Sequence, residues 1–256
     1  MVIWGGADWN VDDMKNYWQP GKEGIQQIYA EYQRYNNPWF TAKEWLRSHN
    51  KTDVIGQISM RYKIADGLDI TARTQISTWN LLRTEKFPYS ATTYGREEGR
   101  GDYREDRRNL FDNNTELVLK FNRKVGSFLN VSALAGGNAR IYSFNSSYAT
   151  TNYLNVPGVY NFANTANPGI FSNYMADMRV NSAYYSADFT IKDYATISTT
   201  GRVDKLSTLP KGNNTFFYPS VAVSTVISDY VTLPQAISFL KLRGSYANVK
   251  EGLTYS

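Results

Sequence analysis

Along residues 54–64 apolar and polar side chains alternate. Ile58, Met60, Tyr62 and Ile64 fall on even positions; Gln57, Ser59, Arg61 and Lys63 fall on odd ones. Successive side chains of a strand point to opposite faces, so this stretch predicts a β-strand with one greasy side and one wet side. Asp66-Gly67 then supplies a turn, since glycine tolerates positive φ and aspartate bonds its local backbone. The return strand keeps the phase, with Leu68, Ile70, Ala72 and Ile76 against Asp69, Thr71, Arg73, Gln75 and Ser77. The same design recurs. Leu117, Leu119 and Phe121 oppose Glu116, Lys120 and Asn122, and Leu129, Val131, Ala133 and Ala135 oppose Asn130 and Ser132. Tyr185, Ala187, Phe189 and Ile191 oppose Tyr184, Ser186, Asp188 and Thr190. Ala195, Ile197, Thr199 and Val203 oppose Thr196, Ser198, Thr200, Arg202 and Asp204. Val221, Val223 and Ile227 follow, then Leu240, Leu242 and Tyr246 against Lys241, Arg243 and Ser245.

Eight strands are thus predicted, at 53–64, 68–79, 114–123, 128–137, 182–192, 195–204, 217–227 and 239–248. Their connections switch between short (65–67, 124–127, 193–194) and long (up to 113, up to 181, around Lys211), with a medium turn around Asp229. Outer-membrane β-barrels sort their loops this way, with tight periplasmic turns and long external loops. A soluble sheet would instead pack its apolar face on a core. Two further features favour the barrel. Arg61, Arg73, Lys120, Asp188 and Arg202 lie within strands on the polar side, where a wet lumen accepts them. Aromatic residues gather near strand ends: Trp79, Tyr184, Tyr185, Phe216, Phe217 and Tyr218 outside; Phe128, Tyr194 and Phe239 at the periplasmic end. That placement matches two interfacial girdles.

Residues 1–52 read differently, as a long extracellular loop region with short helical turns, leaving 53–256 as barrel strands and loops. Helical periodicity is expected at 12–18, at 22–35 (Ile25, Ile28, Tyr29 and Tyr32 on one face) and at 41–49. Pro20-Gly21 and Asn36-Asn37-Pro38 punctuate them.

Composition fits this picture. Apolar residues make up 42% and the mean hydropathy is −0.49, and no apolar run reaches the length of a transmembrane helix. Tyr (20), Phe (12) and Trp (6) supply interfacial side chains. With no cysteine, disulfides and thiolate metal sites are impossible. The net charge of +5 is dispersed among acidic residues without a basic stripe, so no nucleic-acid partner is expected. Met1-Val2-Ile3-Trp4-Gly5-Gly6 lacks the basic and apolar regions of a signal peptide. A barrel must be exported, so a mature, processed or partial chain is expected.

Three segments stand out: Tyr184-Tyr185-Ser186-Ala187-Asp188-Phe189 through Lys192-Asp193-Tyr194 to Gly201-Arg202-Val203-Asp204; Phe216-Phe217-Tyr218-Pro219-Ser220-Val221; and Phe239-Leu240-Lys241-Leu242-Arg243-Gly244-Ser245-Tyr246. In this spaced combination they resemble the SusC/RagA class of TonB-linked (TonB-dependent) outer-membrane transporters of Bacteroidetes. Trp18-Gln19-Pro20-Gly21 and Asn36-Asn37-Pro38-Trp39-Phe40 look like the loop before the mid-barrel strands of that class. The resemblance implies an all-β fold: an antiparallel transmembrane β-barrel, with about eight strands here, part of a larger 22-stranded barrel, in the bacterial outer membrane. It implies active import of large nutrients, glycans (oligosaccharides) or peptides, together with a SusD-like surface lipoprotein, as a SusCD complex in the lipid bilayer. Energy would come from TonB–ExbB–ExbD through parts of the transporter outside this chain. The sequence shows no TonB box or plug and closes on Leu253-Thr254-Tyr255-Ser256, so it looks like an internal barrel segment.

Site chemistry is sparse. The single His49 excludes a two-histidine motif and reads as a loop residue. Asp12-Asp13, Glu97-Glu98 and Glu105-Asp106, interleaved with Arg96, Arg100, Arg104, Arg107 and Arg108, read as solvated mixed-charge loops, where a calcium site is the alternative. No catalytic, cofactor-binding or metal residue is assigned, and an enzyme is not expected. Trp39, Trp45, Trp79, Tyr94, Tyr148, Tyr153 and Tyr160 could stack on sugars or peptide side chains, or pack within the loops. Two alternatives stand beside the importer: a complete small eight-stranded barrel acting as an adhesin or surface-binding protein, and a secreted carbohydrate-binding sandwich.

Overall fold

A computed structural model describes residues 10, 12–30, 35–93 and 98–250. Met1–Gly6, Tyr32, Tyr94, Arg96, Glu97 and Leu253–Ser256, singled out above, lie outside the described residues. The protein is all-β. Eight strands form one sheet in the order β1-β2-β3-β4-β5-β6-β7-β8. They are β1 (Leu46–Ala65), β2 (Leu68–Phe87), β3 (Asp102–Val125), β4 (Leu129–Leu154), β5 (Thr165–Ile191), β6 (Ala195–Leu206), β7 (Thr215–Val226) and β8 (Lys241–Ala247). From β5 to β8 neighbouring strands pair antiparallel, with Asp188 opposite Ser198, Ser198 opposite Ala222 and Ala222 opposite Ser245.

The first five strands are far longer than expected, at 20, 20, 24, 26 and 27 residues. The stretches taken for long loops are therefore largely strand, and the connections shrink to 88–101 and 155–164. Conversely, the medium turn around Asp229 spans 227–240, with a 3₁₀ turn at Ile227–Asp229. The charged run after Asp102 shows why polarity misleads. In a strand, residues i and i+2 share a face. Arg107 pairs with Glu105 at 2.8 Å and Arg108 with Asp106 at 2.7 Å, so each face of β3 carries its own neutralised pair. Glu105 and Asp106 are thereby turned away from each other, which separates the carboxylates a calcium site would need.

Ala65-Asp66-Gly67-Leu68 makes the predicted turn, with Gly67 at φ +76°. Its carbonyl also accepts from the Asn122 N–H at 2.7 Å, tying the turn to β3. A Cβ at Gly67 would run into the Asn122 carbonyl, so only glycine serves here.

Within the first 52 residues the helical expectation holds only in part. A 3₁₀ turn occupies Asp13–Lys15 and α1 occupies Pro38–Lys43. Helix α1 starts where Asn37 accepts the Trp39 N–H at 2.9 Å and proline fills the first position. Residues 22–30 are not helical, because Gln27 is engaged elsewhere: it bridges to Trp18 and is tied to Ser90, as described below. His49, expected in a loop, lies in β1.

By internal contacts the chain divides into two compact units. One comprises the described parts of Met1–Thr52, Trp79–Asn109 and Asn145–Met175; the other comprises Asp53–Thr78, Leu110–Phe144 and Ala176–Ser256. The first has a small apolar core of Phe40, Phe87 and Ala91, with Tyr17, Trp18 and Trp45 against it. Trp45 meets Phe87 edge-on at 4.3 Å and Trp18 meets Phe40 at 5.3 Å. The second is organised by its two faces. Ile58, Leu117, Leu119 and Phe189 are 75%, 53%, 39% and 37% exposed, whereas the side chains of Glu116 and Asp204 are only 16% exposed. Apolar side chains are turned outward and carboxylates are covered, the reverse of a water-soluble sheet and the arrangement of a barrel wall.

Candidate functional site

The alternation of each strand decides which side chains share the polar face. On β1 and β2 these are the odd positions, and on β3 to β7 the even ones. In the second unit this phase lines up a transverse row. Arg73 of β2 is paired with Glu116 of β3, and the Tyr184 hydroxyl of β5 donates to the same carboxylate. Tyr184 can reach across β4 because Gly136 lies beneath it. A Cβ there would sit 2.9 Å from the Tyr184 ring and from the Leu117 carbonyl. The row continues through Arg202, opposite Tyr184 and Tyr218 in register, with its guanidinium 5.9 Å from the Tyr184 ring centre. Arg202 also holds Asp204 at 2.8 Å and donates to Ser182 at 2.9 Å. Elsewhere on this face Arg61 pairs with Asp69, and Arg140 grips Asp112 through two bonds of 2.9 and 2.7 Å. Carboxylate partners, across strands or two residues along the same one, thus neutralise Arg61, Arg73, Arg140 and Arg202.

In the first unit the polar face is hollowed into a cleft of about 420 Å³. Its walls include Arg47 and His49 of β1, Arg83 and Glu85 of β2, Arg104 of β3 and Tyr148 of β4. Glu85 organises one side. It accepts from the Trp45 indole at 2.5 Å and from Arg47 at 2.7 Å, with Arg104 at 3.5 Å. Burial works to raise the Glu85 carboxyl, but the bonds from Trp45 and Arg47 and the charges of Arg47 and Arg104 outweigh it and hold it below the usual carboxylate range. Arg47 lies over the Trp45 ring at 4.8 Å. Arg104 reaches the buried Asp102 at 3.7 Å and stands over Phe87 at 5.5 Å. Asp106 on the far wall is already claimed by Arg108. Arg83 carries no carboxylate among the described residues.

A second concavity of about 480 Å³ lies between β6, β7 and β8, where Lys241 and Arg243 face Thr196, Ser198 and Ser224.

Of the aromatic residues that could either stack on ligand or pack within the loops, Tyr148 alone among the described residues lines the cleft, while Trp45 donates to its Glu85. Trp39 lies beneath Lys15 and Lys43, each 5.6 Å from its ring centre. Trp79 lies under Lys51 at 5.2 Å and Tyr160 under Lys86 at 5.6 Å. Burial, aided by the charge of Glu44, pushes the Tyr160 hydroxyl up to about 12. Tyr153 sits at φ +66°, with Asp102 accepting its N–H at 3.0 Å. These rings pack within the first unit. Sequence reasoning missed Arg47, Arg83 and Arg104 as a group. Their signal was present: Arg47/His49 and Arg83/Glu85 each repeat at i, i+2, but the strands were taken to stop short of them.

One more polar cluster pins Gln27, Asn36 and Asn37 to the 88–93 segment. Gln27, fully buried, receives at its Oε1 the Asn37 N–H at 2.8 Å. Its own Nε2 donates to the Ser90 carbonyl at 2.7 Å and to Asn36 at 2.8 Å. Asn36 in turn binds both the N–H and the carbonyl of Thr92.

No family model matches the chain, and no curated protein matches it either. Solved structures do. A structure described as the RagAB peptide transporter aligns with a TM-score of 0.75 at 14% identity, covering 88% of this chain. Two of the RagAB peptide importer, in "closed-closed" and "open-open" states, give TM-scores of 0.74 and 0.75 at 15% identity over the same share. The chain spans about a quarter of the length of each of these matched chains, 25% in every case. At this identity the likeness concerns the fold.

Proposed function

We propose that this chain forms part of the wall and outer segments of an outer-membrane importer of the SusC/RagA type. The observation that carries it is the inverted exposure of the second unit: apolar side chains such as Leu117 face outward while Glu116 and Asp204 are covered by arginine and tyrosine. Such a sheet suits acyl chains on one side and a water-filled lumen on the other. The wall performs no covalent chemistry. It encloses a path, and its outer polar face offers contacts to the cargo. The solved neighbours are described as a peptide transporter and importer, which favours peptides over glycans as cargo. A surface lipoprotein of the SusD type would cap the barrel, and TonB–ExbB–ExbD would drive it through other parts of the polypeptide.

The adhesin alternative requires a closed eight-stranded barrel, in which β8 would pair with β1. The sheet order instead runs from β1 to β8 and ends at both. β1 is exposed along nearly its whole length, as an edge strand awaiting a neighbour is.

The test is purification of the complete protein from outer membranes in mild detergent, with mass spectrometry of what accompanies it. The expected result is a polypeptide about four times as long as this chain, as its 25% coverage of the matched chains suggests, together with a lipoprotein and retained peptides. Recovery in the detergent-free soluble fraction would refute it.

A further inference from the structure

We infer that the cleft between β1, β2, β3 and β4 is a subsite for a carboxylate on the cargo, with Arg83 as the group that receives it. This rests on the importer reading and narrows it to peptides bearing an acidic side chain or a free C-terminus. The argument starts from contrast. Arg61, Arg73, Arg140 and Arg202 of the polar face each hold a carboxylate of the protein. Arg47 and Arg104 share Glu85, and Arg108 holds Asp106. Arg83 stands on the same cleft wall as these groups, exposed, with no carboxylate among the described residues. Its neighbours cannot supply one. Glu85 is saturated by Trp45, Arg47 and Arg104, and Asp106 by the bidentate Arg108.

The cleft counts three arginines, Arg47, Arg83 and Arg104, against two carboxylates, Glu85 and Asp106. It therefore keeps a net positive charge in a concave setting, where field lines concentrate. Guanidinium matches a carboxylate with two parallel hydrogen bonds. The arginine's backbone is also pre-placed: it stands within β2, near its end at Phe87, rather than on a loop tip, so little backbone ordering is needed on binding. The Tyr148 ring, which also lines the cleft, offers a flat apolar surface to an adjoining side chain. A neutral glycan would leave the charge of Arg83 unanswered, which is why a peptide carboxylate is favoured.

The experiment uses the complete protein in detergent and isothermal titration with three probes: a short peptide containing glutamate, its amidated glutamine counterpart, and an oligogalacturonate. The wild type is expected to bind the glutamate peptide more tightly than the glutamine one by on the order of tenfold to a hundredfold, the worth of a charged hydrogen-bonded pair. Arg83→Gln should remove that preference while leaving the glutamine peptide's affinity unchanged. Arg83→Glu should reverse the preference, so that the glutamate peptide binds more weakly than the glutamine one, and an unchanged thermal midpoint in both variants would show that they remain folded. Equal affinity for both peptides in the wild type, or a preference that survives Arg83→Gln, overturns the subsite and leaves the importer reading standing. Binding of the oligogalacturonate alone, lost in Arg83→Gln, overturns the peptide assignment. Failure of all three probes to bind, with no peptide retained from the membrane, counts against the subsite and the peptide importer together.

Discussion

Replacing Leu117 with arginine places a charge midway along β3, on the face that Leu119 shares. Leu117 is 53% exposed, so little packing is lost and the outcome depends on what lies outside the sheet. If that medium is water, a substitution at so open a position should alter stability by no more than about 0.5 kcal/mol. If it is hydrocarbon, an arginine near the midplane costs about 2–4 kcal/mol. At 1.4 kcal/mol per tenfold, the two cases differ by roughly tenfold to three hundredfold in the folding equilibrium. The complete protein, refolded into phosphatidylcholine vesicles and titrated with urea under tryptophan fluorescence, reads this directly. Lys120→Gln, an exposed position on the polar face, provides the control and should stay within about 0.5 kcal/mol. Should Leu117→Arg prove as mild as Lys120→Gln in lipid, the outward apolar face would not meet acyl chains and the membrane assignment would fail.

Gly136→Ala should dislodge Tyr184 from Glu116, because the added methyl would lie 2.9 Å from its ring; a loss of about 1–3 kcal/mol is expected in the same urea titration. Gln27→Ala leaves the Asn37 N–H and the Ser90 carbonyl without their partner, at about 1–3 kcal/mol for each buried group, and should speed limited proteolysis within 12–44 without changing sheet content by circular dichroism. For Glu85 the folded carboxyl lies below its ordinary value of 4.5, so its contribution is present above that value and is lost as pH falls through the lower, folded one. Proteolysis of the first unit should therefore rise below pH 4.5 in the wild type, while Glu85→Gln should show raised susceptibility already at neutral pH and a flatter profile.

Strand identity and face were legible wherever alternation was clean. Ile58/Arg61 on β1 and Tyr185/Tyr184 on β5 stand where period two puts them, and the exposures of Ile58, Leu119 and Phe189 agree with an outward apolar side. Strand ends were not legible. Beyond Thr78 on β2 and before Leu110 on β3, both faces turn polar or mixed, and nothing in hydrophobicity distinguishes such a strand from a loop. What extends it is pairing: Arg107 with Glu105, Arg104 with Glu85, Ser48 with Thr84. The cleft was hidden for the same reason, since Arg47 and Arg83 become neighbours only once β1 and β2 are known to run past Asp53 and Trp79. The failed helix at 22–30 has a different origin. Gln27 binds Ser90, a partner 63 positions away that local periodicity cannot reveal.

Every strand of the sheet lies beside the strands that precede and follow it in the chain. Each addition therefore closes either a tight turn or a connection no longer than 88–101 or 227–240, with modest entropic cost, and never needs a distant segment to be found first. Assembly can advance as a zipper, the last strand laid down acting as template for the next. A defect in β3 would then be felt by what is added after it, whereas one in β8 would spare the seven strands already in place.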